Sequence, residues 1–457
     1  MNISYIRIDK DIKDKIEELL LDKGYKYLSM IFYNKIVYTY LYQSKKVEDC
    51  NNLYVRKSIK SLSEFIFGKD EITYKCIREM ERVGLIERGE SYKKEEYSKG
   101  FKPRLLPIGK FITVKAVDYL SNHQITNLRK RVEKQRSKDL EWHLDNLIKN
   151  VELDLDMLKM LIYVNYGVML QPYENKEELI SQIQDIEVDI EHIKKTLKNI
   201  GLKRITEKRL ASEVRARAFL KTKILELLEI EFTEIRKGEK GGRHFHALSN
   251  APRELKACLI SKNPKKPYLM QVDIKNSQPF FLLCLLNKHK LEIEENLKLS
   301  IIGGTFYEDI GECWGISRLL VTDNHEVRGL IKSKVYSNIL FADNRIRTES
   351  ENFAKVKEKY PLFCESILKL ASDTTLASLL QSLEAKEVLP LVKKYKGIGI
   401  HDSVITIAVN EFEIVEKIKA EIVEKFKKKY GIVPTVSVEK ISERTDKILQ
   451  LFKITTM

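Results

Sequence analysis

A mostly helical α+β fold is what this sequence predicts, and three observations predict it. From residue 140 to about 236, apolar side chains recur at three- and four-residue spacing, the period of helices that bury one face. Two β-branched runs, 269–274 and 397–408, break that period, and each carries an aspartate, Asp273 at a strand end and Asp402 at a tight turn. Ahead of both, residues 58–114 alternate short helix, turn and strand patterns.

The totals narrow the function classes. A chain of 457 residues suits two or three domains. A formal net charge of +15 points to a polyanionic partner, nucleic acid first and an anionic membrane second. Abundant Lys, Ile and Tyr are also what an AT-rich coding genome produces, so charge alone leaves the partner open. The six cysteines (Cys50, Cys76, Cys258, Cys284, Cys313, Cys364) form no CxxC pair, which argues against a disulfide framework and a zinc site. The first ten residues lack the apolar core of a signal peptide, and no run approaches the ~20 apolar residues of a membrane span. The expectation is a soluble, cytoplasmic protein with no membrane partner.

Taken in order, residues 1–56 mix helical patterns with aromatic-rich stretches. Residues 58–67 read as a short helix and 68–70 as a turn. Residues 71–83 read as a second helix with Ile72, Cys76, Met80 and Val83 on one face. A strand begins at Leu85, residues 89–100 read as the loop of a wing, and a returning strand is expected near 107–114. This order resembles a winged helix-turn-helix, whose second helix would expose Thr73, Tyr74, Lys75 and Arg78. Such a unit contacts DNA, binds protein, or packs inside a larger domain, and the sequence leaves the three open.

Residues 127–138 are strongly basic, a linker or a solvated helix start. Two helical patterns follow, 140–166 and 179–200. In the second, Leu179, Ile183, Ile186, Ile190, Ile193, Leu197 and Ile200 make a coiled-coil seam, which predicts an antiparallel helical hairpin. Residues 202–240 read as helical and basic on one face (Arg204, Lys208, Arg209, Arg215, Arg217, Lys221, Lys223). Residues 237–253 then turn to glycine, arginine and aromatics, where backbone could approach a phosphate with Arg243 beside it. His244 and His246 lack carboxylate or cysteine company, so packing or polar contact is expected of them rather than metal binding.

Asp273 and Asp402 are the candidate chemistry. Two carboxylates on neighbouring strand ends suit a pair of divalent cations about 4 Å apart, which activate an attacking oxygen and stabilise a leaving one. Between them, Arg328, Lys332 and Tyr336 fall at i, i+4 and i+8 of a helical pattern and line one stripe. Two cations and an aromatic on one face suit a triphosphate and a base.

The order Gly241-Gly242-Arg243, Asp273 strand, Arg328-x3-Lys332-x3-Tyr336, His401-Asp402-Ser403 resembles the right-hand palm and fingers of family-A DNA polymerases and single-subunit phage-type RNA polymerases. The resemblance covers roughly 243–408. It implies that Asp273 and Asp402 hold two Mg2+ ions (Mn2+ as a substitute), with the carbonyl of Ile274 contributing. It implies further that Arg328 and Lys332 grip the triphosphate, that Tyr336 stacks on the nascent pair, and that Gln278 crowds the sugar. Arg243, Gln381 and His401 would touch primer or template. The helical hairpin sits where these enzymes place a thumb. The expected division is 1–126 (winged-helix-like), 127–236 (thumb-like) and 237–457 (palm, with fingers at about 287–380).

Two positions depart from the DNA polymerases: Ser403 and Gln278 stand where those enzymes have glutamates. His-Asp-Ser is the form of the RNA polymerases, yet their ribose-sensing tyrosine is Leu340 here, and Tyr336 matches the DNA enzymes. The balance leans to deoxynucleotides. The sequence reading is therefore a DNA polymerase without proofreading, from a plasmid, phage or other mobile element, acting in a bacterial or phage-infected cell. Its partners would be DNA primer–template (or RNA), nucleoside triphosphates and a replication protein. The rivals are an RNA polymerase or primase on the same palm, a non-catalytic DNA-binding replication initiator, and untemplated or protein-primed synthesis in phage defence.

Overall fold

A computed structural model describes residues 5–44, 55–56, 70–89, 100–135, 140–199, 202, 204–229, 235–238, 241–266, 268–371, 375–408 and 413–441. Helices dominate and five small sheets punctuate them, so the architecture is mostly helical α+β. Among the described residues no helix is long and apolar enough to cross a membrane.

The N-terminal core forms around the helix Lys23–Ser44, whose Tyr27, Phe32 and Tyr33 are fully buried. A helix apolar on nearly every side has to be covered on every side. Helix Asp70–Arg82 lies ahead of a three-stranded antiparallel sheet in the order Val55–Arg56, Gly100–Pro103, Ile86–Arg88. Cys76, Ile77 and Met80 of that helix face the core. The first helix of the expected motif, 58–67, and most of its wing loop, 90–99, lie outside the described residues.

Two expectations are corrected here. The strand returning to Ile86–Arg88 is Gly100–Pro103, earlier than 107–114; Phe111–Lys115 pairs instead with Tyr5–Asp9. Asp9 explains that capture. Its carboxylate caps the helix Lys10–Glu17 by accepting from the N–H of Asp11 at 3.0 Å, and it also accepts from the N–H of Gly109 at 2.8 Å. Thr73 is buried, whereas Tyr74, Lys75 and Arg78 are exposed, because Thr73 lies one turn before Ile77 on the core side.

The expected helical hairpin is also corrected. Residues 140–199 form four short helices, Glu141–Asn150, Leu155–Tyr166, Lys176–Asp185 and Ile190–Asn199, and Ile200 lies outside the described residues. Val151–Leu153 is a strand paired with Leu259–Ser261, and Asp154 caps the helix that follows. Ile186 is extended, which breaks the second pattern. The seam residues Leu179, Ile183, Ile193 and Leu197 are buried, but they share a core with Leu220, Ile224 and Leu227 of the helix Glu207–Leu228. Coiled coils and helices around a common core share the same spacing, so periodicity alone could not separate them. The basic face expected on that last helix is partly internal, since Arg217, Lys221 and Lys223 are buried. Lys221 donates to the carbonyls of Gly109 at 2.9 Å and Gln184 at 3.1 Å, compensation that a buried ammonium requires.

A four-stranded antiparallel sheet organises the C-terminal half: Ile398–Ile400, Ser403–Ala408, Tyr268–Ile274 and Val436–Lys440, in that spatial order. Side chains alternate along the strand Tyr268–Ile274. Met270, Val272 and Ile274 pack with the apolar helix Ser277–Lys288 and with Glu413–Tyr430, while Leu269 joins the core behind the sheet. Gly397 is obligatory in this sheet, because a Cβ there would lie 2.6 Å from the carbonyl oxygen of Ile405. Between the strands Tyr268–Ile274 and Ile398–Ile400 run the helices Glu295–Gly303, Phe306–Cys313, Arg318–Asp323, His325–Val335, Asn344–Glu349, Glu351–Lys359 and Pro361–Leu370. Their apolar faces share one core with the sheet.

Candidate active site

Strand pairing brings the two aspartates together. Asp273 lies opposite Ser403 in the antiparallel register, and Asp402 immediately precedes Ser403 in the turn. Ile400 and Ser403 pair across that turn, leaving His401 and Asp402 as its two loop residues. His401 takes φ +56°, the left-handed conformation such a turn demands, and the Ser403 hydroxyl donates to the Ile400 carbonyl at 2.8 Å.

The carboxylates of Asp273 and Asp402 are close enough to share a hydrogen bond. Burial first, and then the Asp402 charge, hold Asp273 well above the usual carboxylate range, against the pull of Lys332. Two carboxylates in contact need a shared proton or a cation between them. An all-oxygen pair is the donor set for a hard cation such as Mg2+ or Mn2+, which keeps water and phosphate oxygens as its other ligands. No cluster of three or more His, Cys, Asp or Glu of metal-holding geometry occurs among the described residues. The N–H of Ile274, which closes its strand opposite Val436, also bonds the Asp273 carboxylate.

A third carboxylate, not singled out in the sequence, completes this floor. Glu384, on the helix Leu376–Lys394, is fully buried and accepts from Gln278 Nε2 at 2.6 Å and from the Arg243 guanidinium. Burial and then the Asp402 charge push Glu384 up to about 7, with Arg243 opposing. Oε1 of Glu384, Oε1 of Gln278 and Nε of Arg243 are buried without partners. At the glycine turn, Gly241 lets the chain pass Gln381, where a Cβ would lie 2.6 Å from the glutamine Cβ. Arg243 is thus directed onto Glu384 and Gln381 lies half-buried beside the turn. Burial, then the Arg243 charge, lowers His401 to about 4, and its Nδ1 has no partner.

Facing the floor is the helix His325–Val335. Nε of Arg328 donates to Glu308 at 3.0 Å, and its guanidinium lies 5.1 Å from the ring centre of Tyr307. Lys332 Nζ lies 5.9 Å from the Tyr307 ring and 5.6 Å from the Tyr336 ring. Tyr336 opens a π turn, Tyr336–Leu340, closed by Phe341 N–H donating to the Tyr336 carbonyl at 2.8 Å. Only such a turn lets residues five apart stack, and the Tyr336 and Phe341 rings do so at 4.9 Å. Buried Arg347 donates to the Ile339 and Leu340 carbonyls, which supports the turn. Leu340 is buried in the core.

Glu308 and Tyr307 were also missed. Both are buried in the first turn of the helix Phe306–Cys313, and the Tyr307 hydroxyl lies 3.4 Å from that of Tyr336. Their only trace in the sequence is an acidic pair set in an aromatic run, Phe306-Tyr307-Glu308-Asp309. The structure thus brings Asp273, Asp402, Gln278 and Arg243 to one floor, with Gln381 and His401 at its edge. Arg328, Lys332 and Tyr336 form a facing wall.

No family model matches the chain, and no curated protein matches it. Among solved structures it is similar to the POL domain of Pol1 from M. smegmatis, determined in complex with DNA primer-template and dNTP. That similarity has a TM-score of 0.39 and 11% identity, over 88% of this chain and 80% of the other.

Proposed function

We propose that this chain is a template-directed nucleotidyltransferase, a DNA polymerase that joins a primer 3′-oxygen to the α-phosphorus of a deoxynucleoside triphosphate and releases pyrophosphate. One observation carries the reading: the contact of Asp273 with Asp402 at paired strand ends, beneath a helix whose Lys332 charge reaches Asp273.

Asp273, Asp402 and the carbonyl of Ile274 would hold two Mg2+ ions, or Mn2+. Bound there, the ions lower the pKa of the attacking hydroxyl and neutralise the leaving phosphates. Arg328 and Lys332 hold the triphosphate, with Glu308 steering the arginine through Nε and Asn276 Oδ1 lying 3.5 Å from one of its terminal nitrogens. Tyr336 stacks on the nascent base pair, and Gln278, fixed by Glu384, crowds the sugar. Arg243, Gln381 and His401 line the path of primer and template. Residues 237–457 are then palm and fingers, 127–236 occupy the thumb position, and 1–126 are a winged-helix-like unit presenting Tyr74, Lys75 and Arg78 to DNA or a replication protein. Such a compact polymerase without proofreading suits a plasmid or phage in a bacterial cytoplasm.

The test is primer extension by the purified chain with Mg2+, supplying dNTPs and NTPs separately, with Asp402→Ala as control. Extension by dNTPs that the variant abolishes is expected; silence in both reactions overturns the reading. One observation favours ribonucleotides as a second reading. The Gln278 Oε1 is a buried acceptor without a partner, and a ribose 2′-hydroxyl would supply its donor. Extension by NTPs alone would decide for it.

A further inference from the structure

Three histidines with no part in the proposed reaction lie behind the Asp402 turn. His143 comes from the helix Glu141–Asn150, and His244 and His246 from the chain just after the glycine turn; they are 0%, 8% and 5% exposed. His143 and His246 grip the backbone of one residue, on its N–H and on its carbonyl. The Gly399 N–H donates to His143 Nε2 at 2.9 Å, and His246 Nε2 lies 2.8 Å from the Gly399 carbonyl oxygen. Gly399 sits in the strand Ile398–Ile400, three residues before Asp402.

Backbone chemistry dictates each proton. A peptide N–H only donates, so His143 Nε2 is bare and its proton sits on Nδ1, which donates to His244 Nδ1 at 3.1 Å. A carbonyl only accepts, so His246 carries its proton on Nε2, and its bare Nδ1 is the buried nitrogen without a partner. Burial above all holds His143 far below the ordinary imidazole range and His246 at about 4. All three rings are therefore neutral in this arrangement. The Trp142 ring stacks on His143 at 5.0 Å and fixes its plane.

We propose that His143 and His246 are positioning residues, a neutral clamp on Gly399 through which the helix Glu141–Asn150 sets the placement of Asp402 against Asp273. The proposal rests on the reading of those aspartates as metal ligands. Groups that orient ligands in this indirect way are worth about 10–100-fold in metal affinity.

The test compares His143→Leu and His246→Phe, which remove a clamp bond, with His143→Gln, whose Oε1 can occupy the place of Nε2 and accept from Gly399. Three quantities are read in the full chain: amide hydrogen exchange across 398–403, Mn2+ affinity by electron paramagnetic resonance, and kcat and KM in primer extension. His143→Leu and His246→Phe are expected to speed exchange at Gly399, weaken Mn2+ binding about tenfold and lower kcat with KM unchanged. His143→Gln is expected to stay within about threefold of wild type in Mn2+ affinity, since it keeps the acceptor. Faster exchange with Mn2+ affinity and kcat intact would overturn the proposal, as would His143→Gln failing like His143→Leu. Loss of the fold in both His143→Leu and His246→Phe would make the clamp a structural support and also overturn it. A wild-type chain that binds Mn2+ but extends no primer removes only the polymerase reading, because exchange and Mn2+ affinity still judge the clamp. A wild-type chain that binds no Mn2+ removes the metal reading and the clamp together.

Discussion

The floor and the wall of the cleft are built on opposite principles. On the floor, Asp273, Asp402, Glu384 and Gln278 are held by strand register and by two helices, Ser277–Lys288 and Leu376–Lys394, and like charges are crowded together. On the wall, Arg328 and Lys332 stand on a surface helix, Arg328 half-buried and Lys332 exposed, spaced by aromatic rings. The floor holds its electrostatic cost in fixed places, and on the proposed reading a bound cation would relieve it. The wall offers positive charge that can follow a ligand. A reaction between two anions needs both: a preorganised centre for the reacting atoms, and adjustable charge for a triphosphate that arrives and leaves.

The largest effect should come from the floor. Asp273→Asn or Asp402→Asn should lower extension at least about 10³-fold, because either change removes a ligand worth several kcal/mol to the transition state. The same variants should raise thermal stability in metal-free buffer, since each removes one member of a half-buried carboxylate pair in contact. Lost activity together with a higher Tm would mark the pair as functional rather than architectural. Lost activity with a lower Tm would break the contrast drawn above.

On the wall, Arg328→Ala should cost about 10²-fold in kcat/KM, mostly through KM for the triphosphate. Stability should fall modestly, because the half-buried arginine is the ion-pair partner of the buried Glu308 carboxylate. Glu308→Gln tests what steers that arginine. It keeps an acceptor for Nε but removes the charge, so it should raise KM by less than Arg328→Ala does. A Glu308→Gln variant that binds triphosphate more tightly would mean the carboxylate competes with the ligand.

Glu384 gives a smaller effect and a lesson about reading sequence. Glu384→Gln should lower kcat/KM about tenfold, close to 1.4 kcal/mol, by loosening Arg243 and Gln278 together. With the wild-type carboxyl pushed up to about 7, the two chains should converge as pH falls below that value and separate above it. Asp273 and Asp402 were legible in the sequence because strand and hairpin patterns place their side chains locally. Arg328, Lys332 and Tyr336 were legible because helical spacing is local too. Glu384 was hidden because its partners Arg243 and Gln278 lie 141 and 106 residues away in sequence. The same holds for the His143–Gly399 contact, which spans 256 residues. Periodicity misled where two architectures share it, as in the seam at 179–197, whose Ile183 and Ile193 join a core shared with a neighbouring helix while Ile190 is exposed. Thr73 misled for a related reason: a polar residue inside an amphipathic helix was read as exposed, although its face is the core face.

The smallest effect is thermodynamic and separates floor from wall most cleanly. Asp273 is pushed up to about 8 in the folded chain from an ordinary value of 3.8. Between those values the native state binds more protons than the unfolded state, so unfolding free energy must fall as pH rises. Below about pH 4 the carboxyl is protonated in both states and the slope from this group vanishes; above about 8 it is ionised in both and the full cost has been taken. Metal-free protein should therefore lose Tm between pH 5 and pH 8, by about one degree for each kcal/mol. Mg2+ binds only the ionised pair, so at saturating Mg2+ the Tm gained should be larger at pH 8 than at pH 5. Scanning calorimetry at both pH values, with Mg2+ or with chelator, measures this directly. Asp273→Asn should flatten the slope and abolish the Mg2+ gain, whereas Arg328→Ala should leave both in place, because its guanidinium acts on the ligand and not on the carboxylate pair.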